Sequence, residues 1–258
     1  MDKNGVQSVE RTFDIIETLS QAPKGAYLSE LASATGLNKT TVYRLLGSLI
    51  QLGYAAKDAE TARYYLTVKM FEIGSRVVKK LDMLSIARPY LEKLSKITGE
   101  AVHLVVRDGN EIVYILKEDT GNNSVRLLSR VGLRSPMYCT AVGKAILAGL
   151  PEADIDDIWN TSEITRRTRN TITDLDELKK QLGIIRKEGY AVDNEENELG
   201  IRCVAARIED FSGRIAGAFS VSAPVARMDR EKMAQIAALV LKARDEICSV
   251  MGPGDQDQ

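Results

Sequence analysis

The sequence has little of the chemistry from which metal sites and many active sites are built. Its 258 residues include one histidine, His103, and three scattered cysteines, Cys139, Cys203 and Cys248. A zinc site needs several Cys or His ligands at short spacing, and the chain has no such pair. Scattered cysteines in odd number favour reduced thiols over a disulfide framework. We therefore expect no metal, no other cofactor and no histidine-dependent catalysis.

Long apolar runs and an excess of one charge are also missing. No stretch of about 18 apolar residues occurs, which predicts no membrane span. The first residues lack the basic-then-apolar order of a signal peptide, so we expect a cytoplasmic protein. The formal net charge is −1, and residues 1–68 hold seven basic and seven acidic side chains. Any affinity for DNA must then depend on where the charges lie.

A helix-turn-helix pattern is present between residues 28 and 51. Ser29 is placed to cap a short helix, and Gly36 supplies a turn that tolerates positive φ. Asn38 is placed to cap the next helix, which Gly53 ends. The flanking elements are a helix over residues 11–20 and a hairpin with strands over residues 54–57 and 63–66. This order predicts a winged helix-turn-helix domain over residues 6–68.

The second helix of this pattern has two different faces. Its apolar residues fall at helical spacing and should face the core: Val42, Leu45, Leu46, Leu49 and Leu52. The other face carries the small, polar or cationic side chains that suit a DNA major groove. The residues predicted to contact bases are Thr40, Thr41, Tyr43 and Arg44, and those predicted to contact phosphates are Lys39 and Ser48. Arg11 and Arg63 are placed to reach a phosphate or the minor groove.

The alternative is that this face is the solvated side of an ordinary helical bundle. A lone helix with a threonine and an arginine favours that interpretation. Here a short helix, a glycine turn, a second helix and a wing occur in the right order, which favours DNA.

A second domain of the α+β class is predicted beyond a basic helix over residues 69–96, of which residues 69–82 form a linker helix. The second domain spans residues 83–252, and strands and helices mix irregularly within it. Its predicted elements are a hairpin around Asp108-Gly109-Asn110, a strand over 125–130, a helix over 140–148, a helix over 174–187, strands over 203–208 and 215–222, and a helix over 230–250.

A candidate anion site lies at the segment Thr140-Ala141-Val142-Gly143. Amides at a helix start are free donors that prefer an anion, and Thr140 is a plausible cap. Elsewhere, Ser220 and Ser222 are two apart on a strand, so their hydroxyls project from one face.

Several motifs in order carry a family resemblance. The segments SVERTFDIIETLS, LSELASATGLNKTTVYRLLGSLIQLGYAAKD, RYYLTVKMFEIGS, YCTAVGKAILA and GYAVDNEENELGIRCVAARI resemble the isocitrate-lyase-regulator (IclR) family of bacterial transcription factors. The segment EAVHLVVRDGNEIVYILK is most similar to the branch that senses pectin and sugar-acid breakdown products. The resemblance implies a winged helix-turn-helix, a linker helix that helps dimerisation and a GAF-like effector-binding domain. It also implies a dimer or dimer of dimers on a palindromic operator, often as a repressor.

The resemblance further implies a pocket for a small organic acid. The amides of Ala141 and Val142 would hold its carboxylate, and the other implied pocket residues are Asp193, Cys203, Ser220 and Ser222. Each has an alternative role. The serines can satisfy neighbouring backbone groups, Cys203 can be a small buried hydrophobe, and Asp193 can lie on a solvated acidic loop.

Other residues near the implied pocket have two interpretations each. His103 is either a hydrogen-bonded core residue or a ligand contact. Arg202 either pairs with Glu195 or Glu198, which we favour, or reaches the ligand. Met137 and Tyr138 line the pocket or simply pack.

Two other kinds of protein remain as alternatives to a ligand-controlled regulator. One is an enzyme with an appended DNA-binding domain and Cys139 or Cys203 as its nucleophile. That chemistry is poorly supported, because neither cysteine has an evident base nearby in sequence. The other is a module that binds DNA constitutively. We expect a regulator and no enzyme.

Overall fold

The chain divides into two units at residues 80 and 81. The structure is a computed structural model that describes residues 6–79, 82–119 and 129–251, with residues 75–79 and 82 described by their backbone alone. Within these ranges, no helix combines the length and the apolar character needed to cross a lipid bilayer.

The N-terminal unit is a winged helix-turn-helix. Its described elements are α1 (Gln7–Ser20), α2 (Leu28–Thr35), α3 (Lys39–Gln51), β1 (Ala55–Lys57), β2 (Tyr64–Leu66) and α4 (Lys69–Lys79). β1 and β2 pair in antiparallel fashion as the wing, and Tyr64 also bridges Ala26, which ties the wing to the segment before α2. The core is apolar and comes from α1, α2, α3 and the wing: Ile15, Leu19, Leu31, Val42, Leu46, Leu49 and Ala55.

The turn and cap chemistry of this unit follows the sequence with two exceptions. Gly36 adopts a φ of +67°, and the Asn38 side chain accepts a hydrogen bond from the Thr41 amide at 2.8 Å. Ser29 is not a cap, because α2 begins at Leu28 and the carboxylate of Glu30 accepts from the Tyr27 amide instead. Leu52 is 58% exposed, since α3 ends at Gln51 and the chain then turns away from the core face.

The C-terminal unit is built on a six-stranded antiparallel sheet. Its described helices are α5 (Asp82–Thr98), α6 (Ala141–Leu147), α7 (Glu152–Thr161), α8 (Leu175–Glu188) and α9 (Arg230–Val250). Its described strands are β3 (Ala101–Asp108), β4 (Glu111–Glu118), β5 (Arg134–Pro136), β6 (Ala191–Asn194), β7 (Ile201–Glu209) and β8 (Ile215–Pro224), in the spatial order β5-β4-β3-β8-β7-β6. The α+β prediction is confirmed. The strand predicted over residues 125–130 falls almost wholly outside the described residues.

The two faces of this sheet have separate cores. One face packs against α5 and α9 through large apolar side chains such as Leu91, Phe219 and Val240. The other face packs against α6, α7 and α8, and its strand residues there are small, including Ala205 and Ala218. Because alternate residues of a strand point to opposite faces, these small residues lie together on the α6 side of the sheet.

Candidate functional site

The outer face of α3 is free of the core. Lys39, Thr40, Arg44 and Ser48 are exposed, Tyr43 is 63% exposed, and Thr41 is half-buried at the capped first turn. The four buried residues of the helix are Val42, Leu45, Leu46 and Leu49. The structure therefore brings the six predicted contact residues of α3 together on the side away from the core.

The wing arginine is used within the unit. Arg63 donates to the Gly25 carbonyl at 2.8 Å, lies 4.1 Å from the centre of the Tyr27 ring, and is 3.9 Å from a Glu30 oxygen. These contacts fasten the wing to the start of α2, so the guanidinium has a structural role that the sequence analysis did not anticipate. Arg11 lies half-buried in the second turn of α1.

A cavity of about 510 Å³ lies between the sheet and α6. All six residues implied as pocket residues line it: Ala141, Val142, Asp193, Cys203, Ser220 and Ser222. The wall also contains residues that the sequence analysis did not assign to it, among them Tyr114, Ser129, Ser135, Arg167 and Asn197. They were missed because they come from four separate segments that only the fold brings together.

The start of α6 is held tightly against the loop before it. Thr140 Oγ1 accepts from the Gly143 amide at 3.2 Å and donates to the Pro136 carbonyl at 2.9 Å. A Cβ on Gly143 would overlap the Met137 backbone, so only glycine allows this approach. Within the described part of the chain, the amides of Ala141 and Val142 have no acceptor, which leaves two donors on the cavity wall.

Asp193 is a buried carboxyl on the same wall. Its Oδ1 accepts from the amides of Glu196 and Asn197, at 2.7 and 3.4 Å. Burial, together with the nearby charge of Glu196, raises the pKa of Asp193 to about 7. The alternative that Asp193 lies on a solvated acidic loop is wrong, because the side chains of Asp193 and Glu196 are both buried.

A buried ion pair stands behind this wall. Lys144 is fully buried in α6, and its Nζ lies 2.5 Å from Glu196 Oε1. The pair joins α6 to the loop that follows β6, so it fixes the start of α6 relative to Asp193 on that strand. The sequence analysis missed it, because lysine and glutamate at these positions are indistinguishable from surface residues until the fold is known.

Cys203, Ser220 and Ser222 share the cavity face of β7 and β8. Cys203 is directly opposite Ser222, and Ser220 is opposite His103. Burial raises the pKa of the Cys203 thiol, and burial raises that of Cys139 to about 12. A nucleophilic cysteine needs the opposite shift, toward the thiolate. Both thiols therefore serve as small apolar groups of the wall and core.

His103 is a hydrogen-bonded buried residue, which was one of its two interpretations. Its imidazole is buried, with Nε2 2.7 Å from Ser129 Oγ and Nδ1 3.3 Å from Ser222 Oγ. It also lines the cavity. Burial lowers its pKa to about 3, and the charge of Lys117 contributes to the same direction, so the imidazole is neutral.

Three other residues are structural. Arg202 donates to Asn194 Oδ1 at 2.7 Å and to the Met228 carbonyl at 2.8 Å, so the favoured pairing with a glutamate is wrong. Tyr138 is buried, and its hydroxyl donates to the Thr165 carbonyl at 2.8 Å. Tyr138 and Met137 pack in the core on the α6 side.

Comparisons with known proteins agree with this two-part arrangement. Residues 8–59 match the IclR helix-turn-helix domain, and residues 75–249 match the bacterial transcriptional regulator IclR C-terminal domain. The chain is 36% identical over 252 residues to the HTH-type transcriptional regulator KdgR of Escherichia coli (strain K12), covering 98% of this chain and 95% of KdgR. It is 37% identical over 227 residues to the DNA-binding transcriptional repressor YiaJ of the same organism, covering 87% and 80%. The crystal structure of the Thermotoga maritima IclR superposes with a TM-score of 0.81 at 34% identity, covering 95% and 98%.

Proposed function

Because the chain belongs to the IclR family of bacterial transcriptional regulators, we propose that it is a repressor controlled by a small organic acid. Its N-terminal unit would bind a palindromic operator, and its C-terminal unit would bind the acid. The observation that carries the proposal is that one unit has an exposed, polar α3 face and the other unit of the same chain has a polar cavity.

The residues exposed on α3 support a mode of binding in which a small number of side chains read the DNA bases. Arg44 can form the bidentate contact with guanine that is common in the major groove, and Thr40 and Tyr43 flank it. Lys39 and Ser48 stand at the two ends of the surface, where phosphate strands border a groove. Because residues 1–68 carry equal numbers of basic and acidic side chains, these placed contacts would supply most of the affinity.

The cavity supports a carboxylate on the α6 side. The two free amides of Ala141 and Val142 are donors suited to an anion. Arg167, which donates to Asn197 Oδ1 at 2.8 Å, places a cation on the same wall. The remaining wall is rich in hydroxyl groups, which fits the resemblance to regulators of sugar-acid breakdown better than it fits a purely apolar acid.

A homodimer is supported by apolar residues that the N-terminal unit leaves in solvent. Val6, Val9 and Phe13 are 65%, 51% and 56% exposed, and their spacing places them on one side of α1. A palindromic operator needs two recognition helices, which a second copy of the chain would supply. Repression, rather than activation, is supported by the likeness to YiaJ.

We propose that control operates through the arrangement of the dimer. The acid would favour one arrangement and thereby change the spacing of the two α3 helices. Coupling between two sites is typically about 1–3 kcal/mol, which changes affinity about 5- to 150-fold.

The test begins with DNA selected by the purified chain from a random-sequence library. Affinity for the selected operator is then measured by fluorescence anisotropy during titration with uronates, ketodeoxy sugar acids and simple carboxylates, at fixed salt because phosphate contacts are salt-dependent. The expected result is a palindromic sequence and at least a fivefold loss of affinity with one of the acids. Operator affinity that no acid changes would contradict control by a carboxylate and favour a constitutive DNA-binding module.

A further inference from the structure

The inner wall of the cavity contains a continuous set of hydrogen bonds centred on His103. The imidazole lies between two serine hydroxyls, Ser129 Oγ at 2.7 Å from Nε2 and Ser222 Oγ at 3.3 Å from Nδ1. The edge of the Tyr114 ring packs against the imidazole, with 5.4 Å between ring centres. All four residues line the same cavity, and His103 itself is only 2% exposed.

The imidazole cannot serve as a cation for a carboxylate. It is neutral throughout the physiological range, because removal from water disfavours the charged form. A neutral imidazole has one nitrogen that donates and one that accepts. This part of the wall therefore suits an uncharged polar group, in contrast to the amides at the start of α6.

Through the tautomer of the imidazole, the two serine contacts determine whether Ser222 presents a hydrogen-bond acceptor or a donor to the cavity. If Nε2 donates to Ser129, then Nδ1 accepts from Ser222, and the lone pairs of Ser222 Oγ remain for a ligand hydroxyl. In the other tautomer Nδ1 donates to Ser222, and the Ser222 proton remains for a ligand oxygen. In both cases a bound hydroxyl pairs with Ser222, whereas a bound methylene leaves that side of Ser222 with only the weak hydrogen bond of the Cys203 thiol.

We propose that His103 is the residue that makes the cavity select hydroxylated acids over acids with an unsubstituted carbon chain, by positioning the Ser222 hydroxyl. The proposal rests on the proposed function, since it assumes that the cavity binds an acid. His103 acts through Ser222 and is a positioning residue. Sites built to bind a hydroxyl reject the analogue that lacks it, because their own groups are then left unpaired.

The experiment compares matched acids on the full-length chain. Dissociation constants are measured by calorimetry for D-gluconate against hexanoate and for D-glycerate against propanoate. The variants are His103→Phe, which removes both nitrogens, and His103→Gln, which keeps one donor and one acceptor. Ser95→Ala is the matched control, because Ser95 is a buried serine of the same unit that lies outside the cavity wall and donates to the Glu100 carbonyl at 3.0 Å.

We expect the unmodified chain to prefer the hydroxylated acid of at least one pair by tenfold or more. His103→Phe should remove most of that ratio by weakening the hydroxylated acid alone, and His103→Gln should restore part of it. Ser95→Ala should keep the ratio within about threefold. Operator affinity without acid and the melting temperature of each variant report whether the fold is intact.

Three outcomes would overturn the proposal. An unchanged ratio in His103→Phe, or equal weakening of both acids, would mean that His103 only supports the fold. Equal affinity of the unmodified chain for both members of both pairs would exclude selection of hydroxyl groups. These results leave acid binding and the proposed function intact, whereas a chain that binds none of the four acids would count against the acid-binding cavity itself.

Discussion

Arg44 and Arg63 are cations of the same unit with different surroundings. Arg44 is exposed on α3, and its side chain has no partner within the described residues, whereas Arg63 is bound to Gly25 and stacked on Tyr27. An arginine without a partner in the protein can exchange its hydration water for contacts with a DNA base at a small cost in free energy. One that already holds two elements together would have to give up those contacts first.

We predict that Arg44→Ala weakens binding to the selected operator by about 1–3 kcal/mol and leaves the melting temperature unchanged. Arg63→Ala should instead lower the melting temperature, because it releases the wing from α2. Lys24→Ala removes an equal charge from an exposed position before α2 and serves as the control. Anisotropy and thermal unfolding measure the two effects, and unchanged operator affinity in Arg44→Ala would contradict the base-reading assignment.

Asp193 is the residue whose protonation should couple to pH. Its pKa in the folded chain is about 7, above the ordinary value of 3.8, so the folded state holds the proton more tightly than the unfolded state. The contribution of this proton to the free energy of unfolding is complete below pH 3.8 and is lost as the pH rises through 7. We predict that the C-terminal unit is less stable in urea at pH 8 than at pH 5.5.

Asp193→Asn should reduce this difference, because an amide keeps the acceptor for Glu196 and Asn197 and does not ionise. The same substitution should also reduce the loss of acid binding between pH 6 and pH 8, since an ionised Asp193 repels a carboxylate. A pH dependence that is identical in the variant would assign the titration to another group.

At the scale of single elements, α6 is short and depends on its neighbours. Its first turn is fixed by Thr140 and Gly143, and its interior by the Lys144–Glu196 pair. An isolated helix of this length is not stable in water, so the tertiary contacts determine where its free amides point. α8 has the opposite character, with an Asp174 cap, a Gly189 end and Gly183 in open space.

We predict that Gly143→Ala destabilises the C-terminal unit by about 1–3 kcal/mol, because its methyl group would force the start of α6 away from Met137. Acid binding should fall with it, while operator binding without acid should persist. Gly183→Ala is the matched control and should stabilise by about 0.5–1 kcal/mol, as expected for a helix interior with room for a methyl. Equal effects of the two substitutions would show that the close approach at Gly143 is unimportant.

For the whole molecule, the exposed apolar side of α1 is the surface that we propose for dimerisation. We predict that Phe13→Ser weakens dimerisation at least tenfold, because burial of such a side chain stabilises by about 1.5–3 kcal/mol. Sedimentation velocity measures the dimer, and the ratio of affinities for a full operator and a half-site measures its use on DNA. Ile184→Ser, at a similarly exposed position on α8, should change neither. A ratio unaffected by Phe13→Ser would exclude α1 from the dimer contact.

The local features of this protein can be predicted from short stretches of its sequence. Asn38, Gly36 and Thr140 act as predicted, because a cap or a left-handed turn depends on a few adjacent residues. The α3 faces and the serine alternation on β8 followed from helical and strand periods for the same reason. The predictions that Leu52 faces the core and that Ser29 caps a helix were wrong, because a period does not say at which residue a helix begins or ends.

Which distant residues meet depends on the tertiary structure. It brought His103 on β3, Ser129 after β4 and Ser222 on β8 into one set of hydrogen bonds, and it buried Lys144 against Glu196, 52 residues away. It also brought the Arg63 guanidinium against the Gly25 carbonyl and the Tyr27 ring. Burial and long-range pairing depend on how the chain packs, and charged or polar residues carry no local signal that separates a buried partner from a solvated one.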